Sequence, residues 1–445
     1  MRLMNRALAL TLLSGLTTVF AAMPASAEGP EATEPPRAED LLGNIVVVAG
    51  ATRPLPRIAV LPSSSFDEED VILRNVARRD WDLSGEFDLV SDADAHEPSG
   101  SGDTIDVSAW SKKKVEALVE VRAKPMNGQD KVELRGRVFL VHHGVAAVFD
   151  KRFVIPKTSL REECHRLSDL IIGALTGKNG GFASRMTFVS GVSSLRRVFT
   201  VDADGFDAKV MSGSDEISLS PAFGKNEELH FASSRGKSEF KIRTASGKAI
   251  DLPIKGSVYG LAFSKDRSRV AVSIGTGTSI KLFAGPDFAH IEPVSDVGMA
   301  LRPSFSPSGK VGFSGEGRWG QRIYVDGKAI SPDGLFASSP TFCNHPDGIR
   351  VVYAVGVGKD TDLVVTDERG GGMVRLTQGQ GRNGYPACSP DGRLVAFFST
   401  RTSGEGAGLY VMRVDGGRAK RVSTLLGDSL RWDALPPGQA VEMKN

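Results

Sequence analysis

Cysteine is scarce in this chain of 445 residues: Cys164, Cys343 and Cys388 are all it has. An odd count at long spacings excludes the dense disulfide framework of small secreted domains. Cys343 and Cys388 fall on comparable segments of neighbouring repeats, so a bridge between them stays open beside the reading of two buried free thiols. An excess of one charge is also missing. Lys and Arg number 55 against 53 Asp and Glu, a formal net charge of +2. Nucleic-acid binding rewards clustered cations, which this balance does not supply. Lys112-Lys113-Lys114 reads as a solvated helix face.

Long apolar runs are confined to Leu8 to Met23, too short for a comfortable membrane span. Arg2 and Arg6 precede it and Ala25-Ser26-Ala27 follows, the pattern of a secretory signal cleaved before Glu28. No cysteine follows that run, so lipid attachment there is not indicated. The mature chain is expected to be soluble and exported.

Catalytic signatures are lacking as well. There is no Gly-x-Ser-x-Gly elbow, no phosphate-binding glycine loop, and with the last residue at Asn445 no hydrolase domain is expected beyond the repeats. The seven histidines are scattered, and His142-His143, read as strand neighbours, point to opposite faces. The Asp-rich turns lack the spacing of a calcium loop. Neither a metal nor a cofactor is expected.

What the chain has is glycine, 50 in all, and a phrase that returns about every 42 residues. Its clearest copy runs from Tyr385-Pro386-Ala387-Cys388 through Ser389-Pro390-Asp391-Gly392-Arg393 to Leu394-Val395-Ala396-Phe397. Aligned on the first aromatic slot, the copies are Phe223, Phe263, Phe305, Phe342, Cys388 and Trp432. A second track reads Val198 to Val201, Phe240 to Ile242, Ile280 to Leu282, Ile323 to Val325, Leu363 to Val365 and Leu409 to Val411. The first repeat lacks its opening strand, and the last opening strand, Leu430-Arg431-Trp432, has no later strands. The two ends complete each other, which predicts a closed six-bladed β-propeller of four-stranded blades. The aromatics are expected to pack between blades. Pro-Asp-Gly and Pro-Ser-Gly supply tight turns, so these residues read as scaffold.

Ahead of the repeats lies an α+β domain. Arg57 to Pro62 reads as a strand. A helix follows, with Asp67 as N-cap, Ile72, Val76 and Trp81 inward, and Gly85 as its stop. Phe87 to Val90, Val115 to Val121, Val132 to Val141 and Val145 to Ile155 read as strands. Ser159 to Glu162 reads as a capping box. Leu160, Cys164, Leu167, Ile171 and Ala174 form the buried stripe of a second helix ended by Gly177, with 178–181 a short hinge. The expected organisation is a signal peptide at 1–27, a flexible tail at 28–43, the α+β domain at 44–181, the propeller at 182–437 and a C-terminal tail at 438–445.

The phrase Ser389 to Phe397, followed by Gly408 to Met412 and Asp415-Gly416-Gly417, resembles the PD40 repeat of WD40-like propellers. Ile58 to Pro62, Ser84 to Val90, Ala109-Trp110-Ser111 and Leu175 to Arg185 occur in the order seen in the TolB family, the periplasmic component of the Tol-Pal system. The resemblance implies a non-enzymatic adaptor with no cofactor. Its propeller would bind a Pal-like peptidoglycan-associated lipoprotein, and its N-terminal segment, here Asn44, Ile45, Val46, Val47 and Val48, would bind a TolA-like inner-membrane protein. It also implies a monomer that serves outer-membrane integrity and constriction at division. The family's lipoprotein contacts lie in loops leading into the first strand of each blade. Here these loops carry Tyr259, Met299, Arg302, Ser338, Arg382, Asn383 and Tyr385. An exported propeller that binds or processes a sugar or small metabolite in its central channel is the alternative reading.

Overall fold

The computed structural model describes residues 38–42, 55–63, 65, 67–95, 105–192, 195–236 and 238–443. The signal segment 1–27, the segment Asn44 to Val48 and His96 lie outside them.

The amino-terminal domain is a sheet with helices on both faces. Preceded by α1 (Ala38–Leu42), its elements are β1 (Arg57–Val60), α2 (Glu68–Ser84), β2 (Asp88–Leu89), α3 (Val107–Lys112), β3 (Ala117–Pro125), β4 (Lys131–Leu140), β5 (Ala147–Pro156) and α4 (Leu160–Thr176). β1 pairs in parallel with β2 and β3, while β3, β4 and β5 are antiparallel. The period-2 pattern of β4 places Val132, Leu134 and Val138 under α2 and α4, whose Leu73, Val76, Trp81, Leu167 and Ile171 complete one core. Gly136 lets α4 approach: a Cβ there would lie 2.9 Å from Leu167 Cδ1. Leu118 and Phe139 face the other way, against Trp110 of α3.

Acidic residues Glu68, Glu69 and Asp70 fill the first turn of α2, and Gly85 ends it at φ 64°. The stripe of α4 is buried at Leu160, Cys164, Leu167 and Ile171, but Ile172 takes the place expected of Ala174, which is exposed. Ser159 does not cap. Its hydroxyl donates backward to the Pro156 carbonyl at 3.1 Å, so the capping box is not formed. His142 and His143 sit on a 3₁₀ turn (Val141–His143), not a strand, and both are exposed.

The second part is a six-bladed β-propeller of four-stranded sheets. Blades 2 to 6 are consecutive. Blade 1 joins Ser184–Ser190, Arg197–Asp202 and Lys209–Val210 to Asp428–Ala434, which pairs antiparallel with Ser184–Ser190. Closure of this kind completes blade 1 and leaves only short outer edges around the ring. A disulfide joins Cys343 to Cys388, across 45 positions, on the inner strands of blades 5 and 6. Cys164 is free and buried.

Two stretches read as free tails are held in part. Residues 38–42 form α1, whose Leu42 is buried beside Leu335, Tyr353 and Val355 of the propeller. Val441–Glu442 is a strand that pairs with β5, so the C-terminus adds an edge to the amino-terminal sheet. In both cases a few apolar or backbone contacts across long sequence separation outweigh a polar local composition.

Candidate partner-binding mouth and domain seam

The inner strand of every blade carries a register shift near its start. At that bulge five blades place a non-glycine residue in the left-handed region: Ser220 (φ 47°), Arg302 (55°), Ser339 (57°), Tyr385 (57°) and Ser429 (55°). Each stands three positions before the aromatic slot, and blade 3 has Gly260 there. A non-glycine residue in this conformation costs on the order of 1 kcal/mol. The repeated strain aims these side chains at one mouth of the channel.

There, the Arg302 guanidinium stacks 4.4 Å from the Tyr385 ring centroid, donates to the Tyr385 hydroxyl at 3.4 Å and donates to the Ser339 hydroxyl. Tyr259 and Met299 on the same rim are 38% and 43% exposed, a large surface share for such side chains. Arg382 is exposed, and its Nε donates to the Lys359 carbonyl at 3.2 Å. Ser338 is half-buried.

Asn383 differs from expectation. It is fully buried; its amide donates to the Thr361 and Gly381 carbonyls and its Oδ1 accepts from Arg401. It fixes the loop and offers nothing to a partner. Ser220, Ser339 and Ser429 were not singled out from sequence. The signal for them was the fixed offset from the aromatic slot, which in four blades is also the residue before Pro221, Pro303, Pro340 and Pro386.

The amino-terminal domain sits on blades 6 and 1. Arg393, in the clearest copy of the repeat, donates to the Asn179 carbonyl at 2.9 Å and to Glu86 at 3.4 Å, while its Nε meets Asp391 at 2.8 Å. Arg413 joins Glu86 at 2.6 Å, and Arg79 donates to the Asp204 and Val422 carbonyls at 2.7 and 3.0 Å. The stretch 178–181, read as a hinge, is pinned. The Asp169 carboxylate accepts from the backbone N–H of Phe182 (2.8 Å) and Ala183 (2.7 Å). Burial nonetheless lifts the Asp169 pKa to about 7. Gly180 is required here: a Cβ would lie 2.2 Å from Asp169 Oδ1.

Between α2, α4 and blade 1 lies a buried group of charges. Asp80, His165 and Asp204 converge, with Arg161 donating to both Asp202 (2.8 Å) and Asp204. Burial opposes charge on His165, but the Asp80 carboxylate outweighs it and pushes the pKa up to about 9. With His165 and Arg161 both cationic, the group is an ion-pair network that clamps the two domains together.

Residues 43–145 match the model of the TolB amino-terminal domain. The chain is 26% identical over 189 residues to the Tol-Pal system protein TolB of Coxiella burnetii, covering 40% of this chain and 43% of that protein. The match thus spans about two fifths of that relative's length. A shorter stretch of 86 residues is 37% identical to the uncharacterized peptidase YuxL of Bacillus subtilis, covering 18% of this chain and 13% of that one. In three dimensions the chain is similar to TolB from Acinetobacter baumannii, with a TM-score of 0.69 and 19% identity, covering 85% of this chain and 96% of that one. No helix among the described residues is long and apolar enough to cross a membrane. The resemblance to TolB read from the residues is borne out by this domain match at 43–145, and the likeness in three dimensions shows the same fold.

Proposed function

We propose that this TolB-type chain is a non-enzymatic periplasmic scaffold of a Tol-Pal-like envelope system. Its propeller mouth would take a Pal-like lipoprotein and its amino-terminal segment a TolA-like inner-membrane partner, in support of outer-membrane integrity and division. The observation that carries this reading is a TolB amino-terminal domain at 43–145 fused to a closed six-bladed ring. The exposed Tyr259, Met299 and Arg382, with the stacked Arg302 and Tyr385, supply the aromatic and guanidinium character that protein interfaces favour.

The amino-terminal segment works by competition in this reading. It is either packed on the propeller or free for its partner, and lipoprotein binding biases the choice. The docking of Leu42 between blades 4 and 5 supports a packed state. The reading is tested by co-purification of a Pal-like lipoprotein with the mature chain. Arg382→Glu combined with Tyr385→Ala is expected to weaken capture at least tenfold. Unchanged affinity in the folded double mutant would remove this mouth from the interface, and deletion of 28–48 with no change in any partner pull-down would end the competition mechanism.

A further inference from the structure

At the end of the channel opposite Tyr385 lies a cavity of about 530 Å³, within the range of small-molecule sites. The repeat builds it. In the slot just before the aromatic, five inner strands carry Ala222, Ala262, Ser304, Thr341 and Ala387, and the sixth carries Arg431; all six line the cavity. Small residues on five strands leave the axis open, and the arginine reaches into it. The next slot supplies a wall of Phe223, Phe263, Phe305, Phe342 and Trp432.

Arg431 has an unusual set of partners. Its Nη2 donates to the carbonyls of Leu261 (3.1 Å) and Pro303 (2.7 Å), on blades 3 and 4. Nε and Nη1 make no hydrogen bond among the described residues. No carboxylate among the described residues binds this guanidinium: the neighbouring Asp433 is taken by Arg267 at 2.6 Å. Burial draws the Arg431 pKa down to about 10, so it is charged at neutral pH. Toward the rim stand Arg185, Lys265 and Arg267, against the acids Asp433 and Glu227. Burial holds the Glu227 carboxyl above its ordinary range. Arg185 is paired with Glu162 and Arg267 with Asp433, so the charge left over at the site is that of Arg431 and Lys265 against Glu227, which disfavours cations.

We propose that this cavity binds a small carboxylate with a flat apolar body, the carboxylate pairing with the Arg431 guanidinium through its unengaged Nη1–H groups and the body held among the phenylalanines and Trp432. A single guanidinium at the floor matches a monoanion better than a phosphate dianion. The cavity opens away from Arg302 and Tyr385, although Arg431 also borders the small pocket beneath them and so stands between the two mouths; the proposal does not depend on the scaffold reading.

The test is calorimetric titration of the mature full-length chain with benzoate, phenyl phosphate and benzamide, alongside Trp432 emission. Benzoate is expected to bind one to one and perturb the emission, and neutral benzamide is not. Arg431→Gln is expected to weaken benzoate binding at least tenfold, and Lys265→Ala at the rim about threefold, with lipoprotein capture unaltered in Lys265→Ala. No benzoate heat at millimolar concentration, equal binding of benzamide, tighter binding of phenyl phosphate, or wild-type affinity in folded Arg431→Gln would each overturn the proposal. Should Arg431→Gln not fold, wild-type benzoate affinity in Lys265→Ala overturns it.

Discussion

Nδ1 of His165 lies 2.8 Å from Oδ2 of Asp80, both side chains sealed from solvent where α4 crosses α2. His165 Nε2 faces Asp204 Oδ1 of blade 1 at 4.0 Å. One imidazole is thus shared by the two domains. Because its folded pKa of about 9 exceeds the ordinary 6.5, its contribution is fully present below pH 6.5 and is lost as pH rises through 9. Thermal unfolding should show stability falling across that window, by on the order of 2 kcal/mol. His165→Gln should be less stable at pH 6 and flatter between pH 6 and 9.

Asp169 and Gly180 act as a unit. Asp169→Ala strands the N–H groups of Phe182 and Ala183 and should cost about 2–3 kcal/mol by denaturant unfolding. Gly180→Ala, whose Cβ would meet the same carboxylate, should cost about 1–3 kcal/mol. Both should expose the stretch 178–181 to limited proteolysis.

Asn383 and Arg382 are neighbours with opposite expectations. Asn383→Ala should lower stability by about 1–3 kcal/mol, since Thr361, Gly381 and Arg401 lose a buried partner. Arg382→Ala should leave stability within about 0.5 kcal/mol and act on lipoprotein capture instead. Denaturation and capture measured on the same two variants separate the roles.

Cys343 and Cys388 hold two inner strands across a loop of 45 positions. The chain-entropy cost removed from the unfolded state amounts to roughly 2–4 kcal/mol. Adding a reductant, or Cys343→Ser with Cys388→Ser, should lower the thermal midpoint accordingly, whereas Cys164→Ala should respond only as a core truncation.

Local chemistry made most of the fold legible. Glycine at Gly85 and Gly177, the stripe from Leu160 to Ile171 and the register of Phe223 through Trp432 depend on short-range pattern, and counting that register was enough to close the ring. The candidate site was legible only in part. Tyr259, Met299 and Arg382 are exposed, as expected, but Tyr259, like Arg302, Ser338 and Tyr385, stands on the inner strand itself and not in the loop before it. Asn383 is not exposed, because Thr361 and Arg401 come from elsewhere in the ring. Ser159, whose hydroxyl found a nearer carbonyl, and Arg431, whose meaning lies in the five small residues around it on other strands, were not legible either. Long-range neighbours decide Asn383 and Arg431, which spacing along the chain does not report; Ser159 is turned by a carbonyl only three residues back.

The strand Asp428–Ala434 has a bearing on biosynthesis. Translation produces blade 1 almost first and its inner strand almost last, and the edge strand Val441–Glu442 of the amino-terminal sheet is made later still. Neither domain has its full set of strands until late: the propeller needs residue 434 and the amino-terminal sheet residue 442. A chain stopped short of residue 428 would present the unpaired strand Ser184–Ser190 and an open ring to proteases and chaperones. The closing strand therefore serves as a check on length: only a chain that has reached Asp428–Ala434 can pair Ser184–Ser190 and close the ring.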